Sequence, residues 1–113
     1  MTRPGATWHS GFARHAWRDR SAALGAVLRV PRGRELVVVM DTMVEGVHFP
    51  RDTAAADVGW KSLAVNLSDL AAMGAEPAWA TLALTLPKPD ATWVRGFARG
   101  FAALAKRHGV EIG

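Results

Sequence analysis

The chain has 113 residues, half of them apolar and 21% charged, with a formal net charge of +4 and no cysteine. This describes a soluble globular domain, or a piece of a larger one. It excludes disulfides, thiolate zinc sites and cysteine nucleophiles. No apolar run approaches ~18 residues, and no signal-peptide core is visible, so no membrane partner is expected.

The first 35 residues carry seven arginines against Asp19 and Glu35, a net of +5, while residues 36–113 net −1. Residues 1–24 read as a divergent basic arm, solvated and lacking a sustained period. The body has no basic stripe interleaved with aromatics, so nucleic acid is not expected as a partner. Residues 26–30 form a short β-like run, Pro31-Arg32-Gly33-Arg34 is a turn signal, and residues 36–40 form a second apolar run. Together they predict a hairpin.

A helix is expected from about 54 to 73, capped by Asp52 or Thr53 and ended by Gly74. Its apolar positions Trp60, Leu63, Ala64, Leu67, Leu70 and Ala71 follow the spacing of one helical face. Residues 79–86 alternate and read as a strand, broken by Pro87 and Pro89. Asp90 is a candidate N-cap for a second helix over 91–108, with Trp93, Val94, Phe97, Phe101 and Leu104 inward. Gly109 ends it, and residues 110–112 begin another strand. The order β-β-α-β-α-β predicts an α/β domain with helices on one face of a sheet.

Two carboxylates stand out. Asp41 closes the second β-like run, and Asp69 lies 28 residues later in the helical segment Asn66-Leu67-Ser68-Asp69. Taken singly, Asp41 reads as a turn-stabilising residue and Asp69 as a helix-surface acid. Taken together, a helix crossing the end of the strand would let both reach one oxygen-ligated divalent cation, which needs only a few carboxylates beside substrate phosphates. Asn66 and Asp69, three apart, share a helical face. A lone histidine such as His48 is ordinarily packed or capping, and Glu45 reads as a solvated loop acid. The remaining histidines show no ligand spacing. No phosphate-loop or Rossmann glycine pattern is present, and no serine sits in a nucleophile elbow.

The segments "DTMVEGVHFP" (41–50) and "SLAVNLSDLAAMGAEPAWATLALTLP" (62–87) resemble the amino-terminal domain of the thiamine-monophosphate kinases, within the wider superfamily of aminoimidazole ribonucleotide synthetase. The resemblance implies that superfamily's mixed-sheet α/β fold over residues 25–113, with the chain stopping before a carboxy-terminal domain. It implies ATP-dependent phosphorylation of thiamine monophosphate to thiamine diphosphate in a cytoplasmic homodimer paired through its sheets. Asp41 and Asp69 then correspond to magnesium ligands, and His48 to a substrate-binding histidine. No catalytic side chain and no ATP-contacting residue is assigned.

The chain departs from that family in two readable positions. Ala22-Ala23-Leu24 stands where the family has a Gly-Asp-Asp motif, and Val39-Met40 precede Asp41 where the family has Ser-Thr. Such losses commonly weaken a metal site by one to two orders of magnitude each, so the chain alone is expected to be weakly active or inactive. Two alternatives stay open: another ATP-using synthetase of the superfamily, and a non-catalytic fragment that dimerises through its sheet.

Overall fold

The computed structural model describes residues 28–112. These fall into two units divided between Leu36 and Val37. The basic arm of residues 1–24 and the missing Gly-Asp-Asp position lie outside the described residues, as do Ala26 and Val27 of the first β-like run.

In the first unit the expected turn is present. The Arg34 N–H donates to the Pro31 carbonyl at 3.2 Å, closing a four-residue reversal. The hairpin is not. Residues 28–30 and 36–40 pair in no strand among the described residues. The second run is apolar throughout, Leu36-Val37-Val38-Val39-Met40, but a strand also requires a ladder partner and a covered face. In the second unit Val37 and Val39 are half-buried while Val38 and Met40 lie 79% and 88% exposed, and the run finds no ladder partner among the described residues.

The second unit is built on two helices. Helix α1 spans Ala55–Ala72, within a residue of expectation at each end. Its N-cap is Ala54, which offers no side-chain acceptor. Asp52 and Thr53 fall too early to cap; the Thr53 N–H instead closes a turn on the Pro50 carbonyl at 3.1 Å. Asp57, in the first turn, supplies negative charge where the helix dipole favours it. The chain then runs into strand β1, Trp79–Ala80, followed by helix α2, Ala91–His108, and strand β2, Glu111–Ile112. Among the described residues no helix is long and apolar enough to cross a membrane.

Helix α2 starts on Asp90, whose Oδ1 accepts the Trp93 N–H at 3.0 Å. Gly109 ends it at φ +60, a left-handed conformation that a Cβ would strain. The Val110 N–H returns to the Ala105 carbonyl at 2.7 Å and that of Gly109 to Lys106 at 3.2 Å. Helix α1 closes the same way, from Ala75 to Leu70 at 2.9 Å and from Gly74 to Ala71 at 3.0 Å. Both helices therefore satisfy their last carbonyls with paired return bonds.

β1 and β2 pair in parallel, Trp79 opposite Glu111 and Ala80 opposite Ile112. With α2 between them they form a β-α-β crossover, the connection a parallel pair requires. The expected strand over 79–86 is thus cut to two residues, and Leu82 and Leu84 beyond it are exposed. Among the described residues the sheet is two-stranded and parallel; the mixed sheet and the full six-element order are not realised there.

The core lies between the helices and under β2. Val58 and Leu63 of α1 meet Phe97, Phe101, Leu104 and Ala105 of α2, with Val110 beneath and Phe49, Ala64, Leu67 and Trp93 at the margin. The rings of Trp93, Phe97 and Phe101 stack in series, with centroids 5.3 and 6.0 Å apart. Trp60 and Val94, expected inward, are exposed. They flank stripes centred instead on Val58, Ser62 and Leu63 and on Phe97, Phe101 and Leu104.

Glycines set how closely the helices approach. A Cβ on Gly59 would stand 2.0 Å from the Phe97 carbonyl oxygen, and one on Gly100 would stand 1.8 Å from that of Ala56. The two backbones are therefore in direct contact, which no larger residue permits without separating the helices.

Candidate functional site

The candidate residues are carried by α1 and by the segment leading into it. Residues 44–49 fold into a compact reversal. The Val47 and His48 N–H groups both donate to the Val44 carbonyl, at 3.1 and 2.8 Å, and the Gly46 N–H donates to the Phe49 carbonyl at 2.7 Å. Gly46 makes the reversal at φ +79, again a conformation suited to glycine. Phe49 packs on the core and anchors the loop's far end.

The imidazole of His48 is held by this loop. Its Nδ1 accepts the Val44 N–H at 2.9 Å. An accepting Nδ1 places the ring proton on Nε2 and leaves that N–H to donate elsewhere. The histidine is exposed, so the donor is accessible. A second tie reaches it from the helix: the Lys61 ammonium donates to the His48 carbonyl.

Asp41 is exposed, and its Oδ1 accepts the N–H of its neighbour Thr42 at 2.8 Å. This is the local turn contact that aspartate makes readily. An ionised carboxylate has about four lone-pair sites, so the contact leaves capacity for a cation. Asp69 is exposed on α1. Three residues earlier, the Asn66 amide nitrogen donates back to the Ser62 carbonyl at 2.9 Å, and the Ser62 hydroxyl donates to the Val58 carbonyl at 2.7 Å. Among the described residues no group of three or more His, Asp or Glu side chains gathers at a potential metal position. The donor chemistry of Asp41 and Asp69 nevertheless fits magnesium, which takes one or two hard carboxylate oxygens and completes its shell with water and substrate phosphate. Met40, beside Asp41, offers no oxygen donor. Glu45 is exposed, as expected of a loop acid, and His108 lies exposed in the last turn of α2.

The family model described as "AIR synthase related protein, N-terminal domain" matches residues 23–113. The chain belongs to this AIR synthase related family. Several similar proteins are thiamine-monophosphate kinases. The enzyme of that name from Salmonella typhimurium is 48% identical over 87 residues, which are 77% of this chain and 27% of the relative. That of Buchnera aphidicola from Schizaphis graminum is 38% identical over 106 residues, 89% of this chain and 33% of the relative. The crystal structure of thiamine-monophosphate kinase from Stenotrophomonas maltophilia K279a superposes with a TM-score of 0.72 at 50% identity, covering 88% of this chain and 33% of that one. The chain thus spans about a third of the length of the relatives it matches. Family membership agrees with the resemblance carried by the two segments around Asp41 and Asp69, and the AIR synthase related match begins just before the β-like runs.

Sequence reasoning missed Lys61. It is the sole basic residue between Arg51 and Lys88, and on spacing alone it would be read as a helical partner of Asp57 four residues earlier. Its reach to His48 spans thirteen residues and becomes visible only once the loop folds onto α1.

Proposed function

We propose that the chain is the nucleotide- and magnesium-binding part of an enzyme that phosphorylates thiamine monophosphate to thiamine diphosphate with ATP. On this reading residues 25–113 are that part and residues 1–24 a basic arm outside it, and the enzyme works in the cytoplasm. The observation that carries the reading is the 50% identity and TM-score of 0.72 with the Stenotrophomonas maltophilia thiamine-monophosphate kinase.

Transfer between two phosphates is chiefly positioning and charge neutralisation, without a covalent protein intermediate. Asp41 and Asp69 would hold magnesium, which supplies neutralisation of phosphate charge. The accessible Nε2–H of His48 binds the thiamine monophosphate as a donor. A phosphate oxygen of that acceptor attacks the γ-phosphorus of ATP, the new P–O bond forms as the bond to the bridging oxygen breaks, and ADP leaves.

Calorimetric titration of the chain with magnesium and a non-hydrolysable ATP analogue tests this. Binding is expected, weakened by the absence of hydroxyl donors at Val39 and Met40. Asp41→Asn or Asp69→Asn should weaken it a further ten- to hundredfold, on the order of other ligand losses. Affinity unchanged from that of the unsubstituted chain in both variants would remove the two aspartates from the metal site. Phosphorylation by the isolated chain is expected to be slight. Turnover comparable with that of full-length kinases would overturn the weak-site assignment.

A second reading, a fragment that dimerises through its sheet, is favoured by the exposure of Val38, Met40, Leu82 and Leu84. Alternating apolar residues without cover are the surface that such pairing would bury.

A further inference from the structure

We propose that Lys61 is a positioning residue for the acceptor, tying the His48 loop to the helix that carries Asp69; this rests on the thiamine-monophosphate reading of His48. Three bonds determine how His48 is presented. The Val44 N–H holds its Nδ1, the Val44 carbonyl receives its backbone N–H, and Lys61 holds its carbonyl. The first two lie inside the loop and hold the ring only while the loop keeps its shape, and the third braces that shape from α1. Only the third fixes the loop relative to α1.

The location of that tie gives it its consequence. Lys61 precedes Asp69 on one continuous helix by eight residues, about 12 Å along the axis at 1.5 Å per residue. A rigid helix thereby links the element that binds the acceptor to the one that presents a metal-binding carboxylate. Phosphoryl transfer requires attacking oxygen and phosphorus to be held in line, and small misplacements are costly in rate. The other anchor of the loop on the core is Phe49, a non-directional apolar contact. The ammonium supplies the directional one.

The test compares Lys61→Met, which keeps the apolar stem and removes the donors, with Lys61→Arg, which retains donors. Nitrogen-15 spectra of the His48 ring and solvent exchange of the Val44 amide report ring orientation in the 113-residue chain directly. In Lys61→Met the ring shifts should move toward those of free histidine and Val44 protection should fall; Lys61→Arg should restore both. Affinity for thiamine monophosphate should drop about tenfold in Lys61→Met and recover in Lys61→Arg, with affinity for magnesium and the ATP analogue unchanged, since a positioning loss of this kind is felt at the acceptor. Unaltered ring shifts and Val44 exchange in Lys61→Met would overturn the proposal. So would unchanged thiamine monophosphate affinity in Lys61→Met beside weakened affinity in His48→Ala. If the unsubstituted chain binds no thiamine monophosphate, the acceptor reading of His48 fails, and the positioning proposal with it. The ring spectra then still decide whether Lys61 orients the imidazole.

Discussion

Gly100 meets two opposing demands. Inside a helix, replacing glycine by alanine ordinarily gains about 1 kcal/mol through reduced backbone freedom. Here the added methyl would stand 1.8 Å from the Ala56 carbonyl oxygen, a backbone atom that cannot swing aside. Overpacking of this kind costs up to about 3 kcal/mol, so the steric effect wins. Gly100→Ala is expected to destabilise the fold by about 2 kcal/mol, read as a lower urea midpoint with an unchanged slope. A stabilised variant would show that the helices separate easily and that their close contact is incidental. His48 is under a local constraint as well, its Nδ1 accepting the backbone N–H of Val44 four residues earlier.

The two helices share paired return bonds at their ends but differ in their first and last turns. α2 has a side-chain cap in Asp90 and basic residues Lys106, Arg107 and His108 in its last turn, where the dipole favours them. α1 begins on an alanine and carries no basic residue in its last turn. Its stability therefore depends more on packing than on capping. Asp90→Ala should cost about 1 kcal/mol of stability, while Asp90→Asn, which preserves the acceptor, should cost little; chemical denaturation of both variants distinguishes cap loss from charge loss. Equal losses would assign the effect to charge. The β elements contrast with the helices. β1 and β2 pair over two residues each, Trp79–Ala80 with Glu111–Ile112, and the other parallel bridge among the described residues is the isolated one of Glu45 with Phe49.

At the scale of the molecule, the decisive feature is apolar surface that stays exposed among the described residues. Val38 and Met40 precede Asp41, and Leu82 and Leu84 follow β1, all exposed. Sedimentation of the chain over a concentration series should show self-association that Met40→Lys weakens. A monomer at every concentration would remove the dimerising reading and, with it, the sheet-paired homodimer that the resemblance implies. Retention of the dimer with no response to magnesium and the ATP analogue would favour the non-catalytic alternative. The same region bears on the metal site, since Met40 sits where the family resemblance places a hydroxyl.

The helices were legible from sequence because their signals are local. Apolar spacing, the Asp90 cap and the terminal glycines Gly74 and Gly109 fix α1 and α2 to within a residue, and the two motif segments around Asp41 and Asp69 identify the family. Tertiary structure alone decided the rest. The runs at 28–30 and 36–40 lack a partner among the described residues because pairing depends on distant chain, which an apolar run cannot supply. Likewise, neither the backbone contact at Gly59 and Gly100 nor the tie from Lys61 to His48 has a sequence period. Both are set by the position at which separate segments meet, which spacing along one chain does not encode.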